Sequence, residues 1–481
     1  MKNDLPGSER LPSTEEIAAT LRAALDLQRA AYFAHPVPGL AQRQADLLAL
    51  RRLVHDHKDA LCKAISADYG HRSVHETLLC EIVPVLDGID HARRHLRAWM
   101  RPRRRSVDLR NFLGASNRVI PQPLGVVGVI VPWNFPLHLA LLPLVYVFAA
   151  GNRALVKMSE NSRHLAAFLI EKLPAYLPPE KLRIFDETGG VGIEFSKLPF
   201  DHLLFTGSGQ TGRAVMAAAA ANLCPVTLEL GGKAPAVVCE DFALRLAAER
   251  ILFVKLLNAG QICTTVDHAW LPRARVDEFV ALAREIVPAR YPSLDSPDYT
   301  SIIDDRSFQR LVAALDEAAA RGATVVPLLQ PARDAATRKI APHLVIGAPG
   351  DGALMQREIF GPVLPLLPYD DLDDVVRAIN AGPRPLAFYP FTQDRARIDM
   401  LLQRVMSGGV SVNDALFHVA QHDLPFGGVG ASGMGHYHGR EGFETFSKLR
   451  PVFHQARFAT MKFMAPPYRR FADRVLAFLT R

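Results

Sequence analysis

The stretch His202-Leu203-Leu204-Phe205-Thr206-Gly207-Ser208-Gly209-Gln210-Thr211-Gly212 decides the fold of this chain. An apolar, β-prone run ends on a glycine-rich turn with GxGxxG spacing, and a helix is predicted behind it over Arg213 to Asn222. Glycines let the backbone approach a pyrophosphate, and the free amides of a helix N-terminus favour its negative charge. Gly207, Gly209 and Gly212 are therefore candidate phosphate-loop residues. A tight strand-to-helix turn that holds nothing is the plain alternative.

The same scheme recurs on either side. Val126-Val127-Gly128-Val129-Ile130-Val131 and Ala154-Leu155-Val156-Lys157 are short β-branched runs, each followed by a helical pattern. Alternating strand and helix predicts an α/β fold with a parallel sheet of the dinucleotide-binding, Rossmann type. Upstream, Glu15 to Phe33 and Gln42 to Asp68 space their apolar residues by three and four, as helices do. Downstream, a second α/β series starts near Ala236 and runs past Leu367, with helices expected over Leu244 to Leu257 and Asp277 to Glu285. A chain of 481 residues exceeds what a single core supports, so two domains are expected.

Composition narrows the function classes. With 49% hydrophobic and 22% charged residues the chain reads as an ordinary globular protein. Met1 to Ala19 is polar and lacks the apolar core of a secretory signal, which points to the reducing cytoplasm. The longest apolar run, Leu139 to Ala150, is 12 residues with Pro143 inside it, a buried helix rather than a membrane span. A net charge of +7 biases the surface toward anions such as dinucleotide phosphates, and no nucleic-acid-binding motif accompanies it. The cluster Arg101, Arg103, Arg104, Arg105 and Arg110 has no interleaved aromatics to stack bases and reads as a solvated segment. The tail, 456–481, carries an amphipathic stretch from Phe471 that is expected to dock on the protein's own surface, with a membrane contact as the alternative.

Chemistry concentrates at Cys263, set in Gly260-Gln261-Ile262-Cys263-Thr264-Thr265, 34 positions after Glu229 in Glu229-Leu230-Gly231-Gly232-Lys233. A thiolate attacks carbonyl carbon readily and can carry a covalent acyl intermediate, and a carboxylate can activate the water that releases it. Cys62, Cys80, Cys224 and Cys239 lie in apolar surroundings without CxxC spacing and read as core; neither a metal site nor a disulfide framework is expected. Glu229 also stands 20 positions after Gly209, where a dinucleotide fingerprint expects a ribose-binding acid. The Leu-Gly-Gly-Lys that follows it argues against that role. Glu160 in Lys157-Met158-Ser159-Glu160, just past a strand, suits the ribose better: Lys157 and Glu160 offer donor and acceptor to vicinal hydroxyls. The alternative is an exposed Lys-Glu pair.

Read together with Pro132-Trp133-Asn134-Phe135-Pro136, Glu358-Ile359-Phe360-Gly361-Pro362 and Leu424-Pro425-Phe426-Gly427-Gly428, these motifs resemble the aldehyde dehydrogenase superfamily in order and spacing. Ser411-Val412-Asn413-Asp414 and the run Gly433 to Phe443 resemble its class 3 branch. Val419-Ala420-Gln421-His422-Asp423 and Thr445 to Pro451 look most like the bacterial coniferyl aldehyde dehydrogenases. The resemblance runs from about residue 18 to 470 and departs at Gly209, where relatives carry another small or polar residue.

The resemblance implies that Cys263 attacks an aldehyde, Asn134 and the Cys263 backbone amide hold the oxyanion, and Glu229 activates water to hydrolyse the thioester. It implies Lys157 and Glu160 at the adenosine ribose, Ser208 at the pyrophosphate, Glu358 at the nicotinamide ribose and Phe360 beside the ring. NAD is the expected cofactor, since Glu160 would repel a 2′-phosphate, with NADP as the alternative. The small-molecule substrate expected is coniferyl aldehyde, oxidised to ferulate. A medium-chain or fatty aldehyde is the first rival and a non-catalytic dinucleotide-binding protein the second, while Glu229 speaks against acylation of coenzyme A. A homodimer is expected. The implied division is a cofactor-binding domain at 1–105 and 125–228, a catalytic domain at 229–420, and a small β oligomerisation element at 106–124 and 421–455.

Overall fold

Strands Val126–Ile130, Arg153–Lys157, Leu182–Phe185, His202–Gly207 and Val226–Leu230 form one parallel sheet because their side chains find apolar partners on both faces. Alternation divides them. Val127, Val129, Ala154 and Val156 join one core with the helix Pro136–Ala149, whereas Val126, Ile130, Leu155 and Leu203 join another with the first helix, Thr14–Ala34. This is the two-sided burial that a parallel sheet between helical layers requires. The structure, a computed structural model, describes residues 11–109, 111–457, 459, 462 and 464–480.

Across this sheet the order is Gly433–Met434, Val226–Leu230, His202–Gly207, Val126–Ile130, Arg153–Lys157, Leu182–Phe185. The first strand in sequence lies between the second and the fourth, so the chain reverses its direction of travel between Val126–Ile130 and His202–Gly207. In such sheets ligands bind beyond the carboxyl ends of the strands at that reversal. A second sheet of seven strands, from Thr324–Pro327 to Gly409–Val410, has Pro235–Val238 and His268–Pro272 at its centre. A third, antiparallel sheet combines Arg103–Arg105, Ser116–Pro123 and Ser447–His454.

Several expectations shift. The hairpin expected from Ser106 starts at Arg103, so part of the arginine cluster is an edge strand, with Arg103 paired to Glu444 at 3.0 Å; Arg110 lies outside the described residues. Gly433–Met434, placed by sequence in the oligomerisation element, pairs instead with Glu229 and Leu228 in the six-stranded sheet. The segment Gln42 to Asp68 is two helices, Leu40–Asp56 and Lys58–Tyr69, because His57 leaves helical geometry. The glycine-loop helix begins at Gly209 rather than Arg213, since Ser208 caps it by accepting from the Thr211 amide at 3.2 Å. The tail forms the helix Arg470–Leu479, but Leu476, Phe478 and Leu479 are exposed and only Ala472 is buried, so the expected docking of its apolar face is not found. No helix among the described residues is long and apolar enough to cross a membrane.

Candidate active site

Asn134 follows the first strand of the six-stranded sheet at the reversal point, in the turn before the helix Pro136–Ala149. Its backbone carbonyl accepts from the Tyr69 hydroxyl at 2.8 Å, the Arg72 guanidinium at 3.1 Å and the Asn258 amide at 3.1 Å. Its side-chain amide donates to the Gln261 carbonyl at 3.2 Å, which ties it to the segment that carries Cys263. Four bonds thus fix one residue between two domains' worth of chain.

Behind this turn lies a support that sequence reasoning missed. Arg72 and Glu81 form a fully buried ion pair at 2.7 Å, with the guanidinium over the rings of Tyr69 and Phe135. Glu81 also accepts from the Leu137 and His138 amides at 2.7 and 3.1 Å, filling the N-terminus of the Pro136–Ala149 helix. Removing one partner of such a pair leaves an uncompensated buried charge and costs about 3–5 kcal/mol.

The Cys263 loop is bent by three successive left-handed residues, Asn258, Ala259 and Gly260, with φ of 52, 50 and 73°. At Gly260 a side chain would overlap the Gly361 carbonyl, so glycine is required there. The two non-glycine residues each cost on the order of 1–3 kcal/mol and persist only because their surroundings over-determine them. Here the Asn258 backbone N–H donates to Glu76 at 3.0 Å, and the Gln261 side chain donates to the Asn258 and Ser301 carbonyls while accepting from the Ile303 amide at 3.0 Å.

Glu229 lies on the strand Val226–Leu230 and is buried, and neither carboxyl oxygen has a hydrogen-bond partner among the described residues. Burial alone raises its pKa well above the ordinary carboxylate value. The Cys263 thiol is pushed up to about 12 by burial, then by the nearby Glu358 and Glu229 carboxyls. Glu358 is itself raised to about 8, by burial and by Asp267. Both carboxyls therefore make the thiol harder to ionise.

Glu358 sits on the Gly231-Gly232 turn, where a side chain at Gly231 would overlap its carboxylate, and its Oε1 is buried without a partner among the described residues. Phe360 takes a left-handed φ of 50° and packs edge-on to Trp133 at 5.4 Å. Lys233 holds this loop in place: it pairs with Asp267 and donates to the Leu354 and Arg357 carbonyls at 2.7 and 3.1 Å, while Asp267 accepts from the Ile359 amide at 2.9 Å.

On the sheet edge the expected donor-acceptor pair is divided. Lys157 closes its strand with its ammonium paired to Glu187, not Glu160, and Glu187 also accepts from the Gly192 amide at 3.0 Å. Glu160 is exposed and accepts from the Ser159 hydroxyl at 3.2 Å. Glu187 carries no motif and was not found from sequence. In the glycine loop the residues differ in kind. A side chain at Gly207 would strike the Phe205 ring, and one at Gly212 would strike Leu230, whereas Gly209 has open space around it. Gly212 thus serves helix-to-strand packing, and Gly209 leaves the helix N-terminus uncovered. An open helix N-terminus at the reversal point and a buried, unpartnered Glu358 oxygen fit a bound dinucleotide. No group of acids, histidines and cysteines among the described residues is arranged to hold a metal.

Beside Cys263 opens a mainly apolar pocket whose walls include Phe135, Leu139, Ile262, Leu416, Val419 and Phe426. Cys80, expected in the core, is half-buried and lines this pocket, since the helical turn Leu78–Ile82 that bears it is a π-turn facing the opening. Its thiol is pushed up to about 12, by burial first.

Comparison with known proteins places the chain in a family. A "Probable coniferyl aldehyde dehydrogenase" of Pseudomonas aeruginosa is 48% identical over 459 residues, covering 95% of this chain and 96% of that protein. The "Coniferyl aldehyde dehydrogenase" of another Pseudomonas strain is 44% identical over 443 residues, covering 91% and 92%. The crystal structure of Mycobacterium tuberculosis aldehyde dehydrogenase complexed with NAD+ is similar with a TM-score of 0.81 and 28% identity, covering 91% of this chain and 90% of that one. The sequence pattern of the aldehyde dehydrogenase family matches residues 10–452, and the chain belongs to that family.

Proposed function

We propose that this enzyme oxidises coniferyl aldehyde to ferulate with NAD, through a covalent intermediate on Cys263. The observation that carries the reading is the aromatic-walled, apolar pocket that ends on the Cys263 thiol. Two relatives at 48% and 44% identity bear that substrate in their names, which supports it.

In this mechanism the Cys263 sulfur bonds to the aldehyde carbon, and the oxygen becomes an oxyanion. The Asn134 side-chain amide stabilises it, because its second N–H is free of the bond to Gln261 and an amide donates without titrating. The thiol must first lose its proton, which its raised pKa makes costly, so the reactive fraction is small and grows with pH. Bound nicotinamide supplies the hydride acceptor. Glu229, as carboxylate, then takes a proton from water that attacks the thioester, and ferulate leaves as Cys263 recovers its thiol. A carboxyl raised by burial is a strong base once ionised, which suits it to that step.

For the cofactor, Ser208, Gly207 and Gly212 form and support the pyrophosphate loop, Lys157 and Glu160 meet the adenosine ribose, and Glu358 and Phe360 flank the nicotinamide end. Two carboxylates at the ribose edge, Glu160 and Glu187, disfavour a 2′-phosphate and support NAD over NADP. The enzyme works as a cytoplasmic homodimer. Five unpaired cysteines suit a reducing compartment, and the Ser447–His454 strand leaves an open sheet edge, with Phe453 48% exposed, that a second copy would cover.

The test is NADH formation with coniferyl aldehyde, benzaldehyde, hexanal and decanal. The highest kcat/KM for coniferyl aldehyde is expected. A preference for decanal would move the enzyme to fatty aldehydes, and no turnover of any aldehyde would remove the reading.

A further inference from the structure

The helix Pro136–Ala149 is buried along its whole length except at one residue, His138, which lines the pocket beside Cys263. A lone imidazole in an otherwise apolar helix calls for a chemical reason. Its Nδ1 lies 3.0 Å from the Cys80 carbonyl. A carbonyl only accepts, so Nδ1 carries the proton. Burial holds the ring neutral, with its pKa lowered to about 4, and a neutral imidazole has a single N–H. Nε2 is therefore a hydrogen-bond acceptor.

A second imidazole, His422, lines the same pocket from the loop before Leu424-Pro425-Phe426. The ring packs over Gly88, where a side chain would come within 3.4 Å of it, on the helix Val83–Trp99 that also carries Asp87, another lining residue. Its Nδ1 is buried and has no hydrogen-bond partner among the described residues. The two rings are close enough for charge on one to disfavour charge on the other. An unsatisfied buried polar atom is expensive, and a ligand group that pairs with it gains accordingly.

We infer that His138 and His422 form the specificity end of the aldehyde pocket and read a hydroxyl on the substrate's aromatic ring. His138 Nε2 accepts the phenolic proton, and His422 pairs with the phenolic oxygen through a ring N–H. The apolar walls hold the ring and its side chain, and of the polar residues on the lining, which also include Asp87, Thr264 and Tyr437, these two imidazoles distinguish a hydroxyaryl aldehyde from a plain aryl or alkyl one. This inference rests on the proposed oxidation of coniferyl aldehyde and names the residues that would select it.

The experiment compares kcat/KM for coniferyl aldehyde, its 4-methoxy analogue and cinnamaldehyde in the wild type, His138→Phe, His422→Phe and the conservative His138→Gln and His422→Gln. The wild type is expected to prefer the phenol over cinnamaldehyde by about tenfold or more, the worth of one to two hydrogen bonds. The methoxy compound, which accepts but cannot donate, falls between them. Each Phe variant brings the ratio of coniferyl aldehyde to cinnamaldehyde close to one, and the Gln variants, which keep a donor and an acceptor, restore part of it. A general loss of packing would lower all three substrates together and leave the ratio in place. A wild type that favours the phenol while both Phe variants keep its ratio would overturn the assignment of the histidines and leave the proposed function standing. A wild type that oxidises aromatic aldehydes without regard to the ring hydroxyl would also overturn it. A wild type that prefers decanal would remove the substrate reading on which it rests. If a Phe variant fails to fold, the wild-type order of the three substrates and the Gln variants still decide.

Discussion

Two groups of carboxylates in this chain are treated in opposite ways. At the sheet edge, Glu187 is paired with Lys157 and Glu160 is exposed to water. Around Cys263, Glu229 has neither oxygen partnered and Glu358 has one left bare, and burial raises both acids. The difference is one of solvation: a carboxylate with a cation or water beside it stays ionised in the resting protein, whereas one buried without a partner holds its proton.

The largest way to break this comparison is to remove the nucleophile. Cys263→Ala should lower kcat by about 10⁴-fold or more, because the sulfur that bonds the aldehyde carbon is gone. Steady turnover in this variant would divorce the buried acids from catalysis. Next comes the scaffold. Arg72→Met leaves Glu81 buried and unpaired, and should cost about 3–5 kcal/mol in urea unfolding. Replacing Arg72 and Glu81 together should cost less than Arg72 alone, and equal losses would argue that packing, not charge, matters there.

Acidity separates the two regions more finely. The Cys263 thiol, raised to about 12, stays protonated in the fold at neutral pH, and burial shifts Glu229 in the same direction, so kcat should rise with pH through the neutral range and into the alkaline. Stability moves the other way. Glu358 keeps its proton up to about pH 8 when folded but loses it near its usual 4.5 when unfolded, so between those values the unfolded state binds fewer protons and stability falls as pH rises. A Glu358→Gln variant should flatten that part of the stability profile. The smallest effect lies at the sheet edge, where Glu187→Gln should shift the NADP to NAD ratio of kcat/KM several-fold toward NADP. An unchanged ratio would leave Glu187 as a tether for Lys157 alone.

Much of this was legible in the sequence, for reasons that particular residues make plain. Val126–Ile130 and Leu203-Leu204-Phe205 are short runs dominated by apolar residues that two helical layers cover, so their strands stand out. Glu229, Cys263 and Asn134 stand in or beside turns marked by glycines and prolines, and the structure ties the Asn134 amide to the Cys263 segment and sets Glu229 near the thiol. What was hidden depends on distance along the chain. Glu187 meets Lys157 from a different strand end, and Glu81 caps a helix 56 residues away, contacts that no local pattern encodes. The GxGxxG match misled in detail, since Gly209 has space for a side chain and the helix starts there rather than four residues on. The tail's amphipathic spacing was readable, but what its exposed face meets is not a property of the helix itself.

The account stands on Glu229 as the base for release rather than for attack, and a single-turnover experiment with Glu229→Gln tests it. Mixed with coniferyl aldehyde and NAD, this variant should give a burst of about one NADH per active site and then stall. Mass spectrometry should find the acyl group on the peptide that contains Cys263. Continued turnover at the wild-type rate, or no burst and no acylated Cys263, would contradict the division of roles between the thiol and the buried acid.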